Sequence, residues 1–173
     1  ETEKMQERLA PLMALNKTVT DAVAAKDFST ALNAIDNAMI NIDPMFQLSV
    51  KMMKFTTYLE FDVPQALAFA KDWYKENSSV GAVVSDLITK KDDLPKEAYE
   101  FAVNCFTEAL SVQGMTKPLV YNYLALSCFK AGDIKGSILN QEMAIKTAKE
   151  AVEKGEYQGT INANTIKVYQ ESF

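Results

Sequence analysis

An aspartate followed four and five residues later by a small and then an aliphatic residue occurs three times in this chain: Asp27 with Ala31-Leu32, Asp62 with Ala66-Leu67, and Asp133 with Ser137-Ile138. A weaker copy, Asp93-Leu94-Pro95-Lys96-Glu97-Ala98-Tyr99, lies between the second and third. The small residue thus recurs at 31, 66, 98 and 137, in steps of 35, 32 and 39 residues. A period of this length is that of one helix-turn-helix unit, which cannot bury its apolar face alone and must stack on a neighbour. The small residue fits the point where two helix axes approach closely, because a larger side chain there overpacks the contact. Stacked helical hairpins are the architecture these spacings dictate.

Apolar periodicity outlines the helices. A first helix is expected over residues 4 to 25, with Leu9, Leu12, Met13, Val19 and Val23 on one stripe. Pro11 removes a hydrogen bond within it and clashes with the preceding turn, so either the helix is kinked there or residues 1–9 are a linker or the end of an upstream helix. Asp27 suits an N-cap, its carboxylate accepting the free N–H groups of the next turn. The second helix then runs to about Ile42, and Asp43-Pro44 stops it and starts a third that reaches about Glu60. A fourth follows Asp62 and reaches about Glu76, with Ala66, Leu67, Ala70 and Trp73 inward; a fifth covers about 80 to 90 and a sixth Pro95 to Val112. Pro118 to Lys130 and Ile134 to Lys154 form the last pair around Ala131-Gly132-Asp133, where glycine permits a left-handed helix end. On its second helix Ile138, Gln141, Ala144, Ile145, Ala148 and Val152 form the expected inner stripe.

The resulting expectation is an all-α protein of the tetratricopeptide-like kind, with helical hairpins stacked in a right-handed superhelix. Four helix-pair repeats fill residues 10–155. A C-terminal capping helix within 156–173, carrying Tyr157, Ile161, Val168 and Tyr169, covers the last pair.

Composition removes several function classes. The net charge of −5 opposes binding to nucleic acid, whose affinity comes from clustered Lys and Arg on phosphates. Lys90-Lys91 is followed at once by Asp92-Asp93 and reads as a solvated loop. No apolar run approaches the roughly 20 residues of a membrane span. With zero histidines, a Ser-His or Cys-His nucleophile, HExxH and the ExxH of di-iron bundles have no counterpart. The two cysteines, Cys105 and Cys128, form no CxxC and sit in apolar helical settings, which favours buried free thiols. Paired carboxylates such as Glu97 with Glu100 and Glu150 with Glu153 read as solvated helix faces, and no glycine-rich phosphate loop is present. No cofactor and no metal site is expected.

What remains is binding. Counting back from each small residue, the first helix of each pair turns Asn16, Thr20, Lys51, Phe55, Asn122 and Leu126 toward a concave groove, a mixed lining suited to a protein or peptide partner. The second repeat is rich in aromatic residues, including Phe55, Tyr58, Phe61, Phe69, Trp73 and Tyr74. Tyr58 therefore joins the groove set, and an aromatic-lined pocket for a small molecule, a peptide or an enzyme substrate is the alternative reading.

Arg8-Leu9-Ala10-Pro11-Leu12, Ala25-Lys26-Asp27-Phe28-Ser29-Thr30-Ala31-Leu32, Asp43-Pro44, and Lys130-Ala131-Gly132-Asp133-Ile134 with Gln141-Glu142-Met143-Ala144 carry a resemblance over nearly the whole chain. The chain resembles the helical region that follows the thioredoxin fold in bacterial envelope thiol-disulfide oxidoreductases of the redoxin type. The resemblance implies a non-catalytic accessory domain in the periplasm or cell envelope, with the CxxC-bearing catalytic domain upstream of Glu1 and a possible partner of this one. None of that family's active-site residues maps onto this sequence, and Cys105 and Cys128 match none of them.

Overall fold

The computed structural model describes residues 2–157 and 160–171, with side chains from residue 6 onward. Among the described residues the chain is all-helical, with nine α-helices, two short 3-10 turns and no strand. The helices are α1 (Thr2–Ala24), α2 (Phe28–Asn41), α3 (Gln47–Phe61), α4 (Val63–Glu76), α5 (Gly81–Thr89), α6 (Lys96–Ala109), α7 (Lys117–Lys130), α8 (Ile134–Lys154) and α9 (Ala163–Glu171). They form two compact units, Glu1–Asp72 and Trp73–Phe173, so that the division falls within α4.

Three repeated aspartates do the same local work. The carboxylate of Asp27 accepts the N–H of Thr30 at 3.1 Å, that of Asp62 accepts Gln65 at 3.0 Å, and that of Asp133 accepts Gly136 at 2.9 Å. Each aspartate's backbone carbonyl then accepts the N–H of the small residue: Ala31 at 3.2 Å, Ala66 at 2.9 Å and Ser137 at 2.9 Å. The cap therefore sets the phase that turns the small residue inward. Ala31, Ala66 and Ala98 are 0% exposed and Ser137 is 1% exposed.

The fourth copy departs from this pattern. Asp93 does not cap a helix; its φ is 59°, and α6 begins at Lys96 with Pro95 in the cap position. Proline constrains its own φ and the residue before it, so the helix starts two residues later than an Asp93 cap requires. Ala98 stays buried because packing rather than capping holds it.

Two hairpin turns share one geometry from different residues. At the end of α1, Asp27 N–H donates to Ala22 O at 2.8 Å and Lys26 N–H to Val23 O at 2.9 Å; at the end of α7, Asp133 donates to Cys128 O at 2.8 Å and Gly132 to Phe129 O at 2.9 Å. This paired closure needs a left-handed residue, and Lys26 (φ 59°) takes the place that Gly132 (φ 83°) has in the second turn.

In the first unit, Leu15, Val19 and Ala22 of α1, Ala31 and Ile35 of α2, and Val50 of α3 form the core. Helix α1 runs through Pro11 as one element, so residues 2–9 belong to the same helix as the residues that follow. Arg8 ties this end down by donating to Asp43 Oδ2 from Nε at 3.0 Å and from Nη2 at 2.6 Å. Met13, expected inward, is exposed, and Leu15 takes the buried position. Asp43-Pro44 stops α2 as expected, but a 3-10 turn, Pro44–Phe46, intervenes before α3.

In the second unit α5, α6, α7 and α8 each pack on the next, and α5 also meets α7. Phe106 stacks on Tyr123 with centroids 5.5 Å apart, and the Thr89 and Ser127 hydroxyls share a hydrogen bond of 2.8 Å. Helix α6 stops at Ala109, short of Val112. The inner face of α8 is Ser137, Gln141, Ala144, Ala148 and Ala151, whereas Ile138 and Val152 are exposed. Alanines allow the neighbouring helices to approach more closely than the isoleucine and valine do.

Helix α9 packs on α8, with Ile161 and Tyr169 buried against Ala144, Ala148 and Ala151 and with Val168 half exposed. The capping segment is helical only from Ala163, and its residues 158, 159, 172 and 173 lie outside the described residues.

Candidate functional site

Asn16 and Thr20 lie one turn apart on α1 and are exposed. They open into a cleft of about 350 Å³ whose other wall is Met53, Thr56, Thr57 and Glu60 of α3, with Val19 and Val23 also lining it. The four α3 residues fall at i, i+3, i+4 and i+7, which is one face of a helix. Thr56 and Thr57 commit their hydroxyl hydrogens to their own helix, donating to Met52 O at 3.0 Å and Met53 O at 2.8 Å respectively. Toward the cleft they act as acceptors.

Lys51, Phe55 and Tyr58 do not line this cleft. At 3.6 residues per turn they point to the opposite side of α3 from Met53, Thr57 and Glu60. Phe55 is 0% exposed, so as a groove residue it requires correction: it is part of the interior and offers a partner no surface in this conformation. Lys51 is partly buried. The four wall residues of α3 were missed because counting from Ala66 selects the other face of the helix, although their spacing was visible in the sequence.

Tyr58 belongs to an aromatic cluster. Phe28 stacks on Phe61 with centroids 4.3 Å apart, Tyr58 lies 6.1 Å from Phe61 and 6.3 Å from Phe69, and Lys54 Nζ is 5.9 Å from the Tyr58 and Phe69 rings. Lys54 also pairs with Asp36 at 2.6 Å. Phe28 on Phe61 is the stacked pair and packs α2 against α3, whereas Tyr58 meets Phe61 and Phe69 at tilted angles and links α3 to α4. Trp73, from the same aromatic-rich stretch, is buried.

Asn122 and Leu126, on α7 of the second unit, are partly buried. Asn122 Oδ1 accepts from Gln141 Nε2 at 3.3 Å, and the same Gln141 nitrogen donates to Tyr169 O at 2.6 Å. Asn122 therefore shares the donor that holds α9 on α8.

Both cysteines are free and buried, and burial pushes both thiols above their ordinary pKa. That is opposite to the activation a thiol nucleophile needs. Among the described residues no cluster of three or more His, Cys, Asp or Glu is placed to hold a metal ion, and no helix is long and apolar enough to cross a membrane. Compared with protein-family models, curated proteins and solved structures, the chain matches none.

Proposed function

We propose that this chain is a non-catalytic helical-repeat interaction module of the tetratricopeptide-like kind, the accessory region of a thioredoxin-like envelope protein, and that it receives a peptide segment between α1 and α3. The observation that carries the reading is that Asn16 and Thr20, selected by repeat position alone, open into a cleft with an apolar floor and polar rim. An apolar floor with a few placed polar groups is the usual makeup of a binding site of this size. The wholly buried small residues Ala31, Ala66, Ala98 and Ser137 support the repeat character. Placement beside a thioredoxin-like domain, and with it an envelope location, rests on the sequence resemblance.

The test is selection of peptides from a displayed library on the purified chain, followed by affinity measurement on Thr20→Trp and Thr56→Trp, which fill the cleft from opposite walls. Selected peptides should bind about tenfold more weakly to both variants, with helicity unchanged. Binding by both variants as tight as by the parent chain removes the cleft from the reading. Failure to select any peptide, together with saturable thermal stabilisation by a metabolite that Tyr58→Ala abolishes, replaces it with the aromatic small-molecule alternative. A CxxC-bearing thioredoxin pattern encoded directly upstream of Glu1 would support the domain context, and a different upstream sequence would remove it.

A further inference from the structure

A second cleft, of about 380 Å³, lies wholly in the second unit, between the end of α4, the start of α5 and the end of α6. Ala82, Ala109, Val112 and Met115 give it an apolar wall, and among the described residues Glu108 is the only charged one lining it. The hydroxyl of Tyr74 donates to the Glu108 carboxylate across one rim. Tyr74 can lie there because position 81 is glycine: a Cβ on Gly81 would stand 2.5 Å from the Tyr74 ring, a distance no side-chain carbon tolerates.

The hydrogen-bond inventory of this cleft is biased. Tyr74 OH donates its hydrogen bond to Glu108, Ser79 Oγ donates to Asn77 Oδ1 at 2.6 Å, and Ser111 Oγ donates to Glu108 O at 2.6 Å. Three lining hydroxyls are thus spent as donors, and the carboxylate retains acceptor capacity beyond the one bond from Tyr74. Two other clefts of this unit carry lysines among their own carboxylates: Lys96, bonded to Glu100 at 2.8 Å, in one, and Lys117 with Lys154 in the other. Among the described residues no lysine or arginine lines the Glu108 cleft. A carboxylate with acceptor capacity at the head of an apolar trough is complementary to a cation on a hydrocarbon stem.

We propose that this cleft binds a primary ammonium carried on an alkyl chain, the stem along Ala82, Ala109 and Val112 and the ammonium on Glu108. A free alkylamine and a peptide lysine side chain present the same chemistry, and the experiment separates them.

The full chain, labelled for amide NMR, is titrated with pentylamine, pentanol and pentanoate. Pentylamine should give saturable shifts at residues 82, 109 and 112. Pentanol should bind about tenfold more weakly, the loss of one charge-assisted hydrogen bond, and pentanoate should not bind. Glu108→Gln should weaken pentylamine about tenfold and bring it level with pentanol. Ala82→Phe, which fills the trough and leaves the carboxylate in place, should abolish binding and guards against a Glu108 variant that fails to fold. Tighter binding of an acetylated, amidated Gly-Lys-Gly peptide than of pentylamine identifies a peptide side chain as the ligand, and weaker binding identifies a free amine. Equal affinity for pentylamine and pentanol, or pentylamine binding unchanged in a folded Glu108→Gln or Ala82→Phe variant, overturns the assignment.

Discussion

The ammonium of Lys130, in the last turn of α7, donates to the backbone carbonyl of Thr89 at 2.8 Å, across 41 residues of sequence. Thr89 ends α5, so the cation also meets the negative end of that helix. Lys130 donates as well to Lys91 O and to Asp92 Oδ1, each at 2.8 Å, and lies 5.7 Å from the centre of the Tyr99 ring. One side chain thereby closes the α5–α6 loop against α7. Lys130→Met keeps the stem and removes the donor, leaving the Thr89 carbonyl without it. Urea unfolding should show a loss of about 2 kcal/mol, and hydrogen exchange should rise at residues 89 to 94.

The second expectation concerns Ser137. Its hydroxyl is buried and makes no hydrogen bond, while the corresponding residue in the other three copies of the sequence pattern, at 31, 66 and 98, is alanine. A buried unpaired hydroxyl carries a desolvation cost with no return. Ser137→Ala should therefore raise stability, by about 1 kcal/mol in denaturant unfolding. Ser137→Leu should lower it by roughly 1 to 3 kcal/mol through overpacking.

Lys26 occupies a left-handed conformation that Gly132 occupies in the matching turn. The Cβ of an L-residue costs about 1 kcal/mol there. Lys26→Gly should recover most of that and raise the melting temperature by a few degrees, whereas Gly132→Lys should lower it. A Lys26→Gly melting temperature below that of the parent chain would contradict this account of the turn.

Tyr74 titrates unlike an exposed tyrosine. Its hydrogen bond to Glu108, aided by burial, pushes its pKa up to about 12 from the ordinary tyrosine value of 10.0. A raised pKa means that the protonated phenol favours the folded state. The contribution is thus fully present below pH 10 and lost as pH rises through about 12. Ultraviolet titration of the folded chain should show a phenol ionising near that upper value. Glu108→Gln should move its midpoint downward.

The thiols offer a check on packing. Burial, the first cause of the raised pKa at both Cys105 and Cys128, suppresses the thiolate that reacts. A thiol-specific reagent at pH 8 should modify both in denaturant at once and in native protein only slowly. Insulin reduction by the chain should be absent. Rapid native modification of either cysteine would place it at the surface.

Caps, turns and the helical class follow from chemistry that spans five residues or fewer, and for that reason they were legible without a fold. Asp27, Asp62 and Asp133 each cap a helix and bury a small residue one turn later, as their spacing implied. Asp93, in the weaker copy, does not cap a helix because the constraint that proline places on the chain is a stronger local rule. The inner stripe of α8 was legible in part: Gln141, Ala144 and Ala148 are buried as expected, but Ile138 and Val152 are exposed and Ala151 is buried in their place, because closeness of approach outweighs hydrophobicity there.

Which face of a helix stays open is a property of its neighbours. The sequence by itself determined that the chain is helical, where its hairpins turn and that Asn16 and Thr20 share a face. Only the tertiary structure decided that Phe55 is interior, that Met53, Thr56 and Glu60 complete the first cleft, and that Tyr74 reaches Glu108 over Gly81. Capping energies are set by adjacent peptide groups, whereas the exposure of a side chain depends on the rotation of helices tens of residues apart. No spacing rule within a single helix contains that rotation.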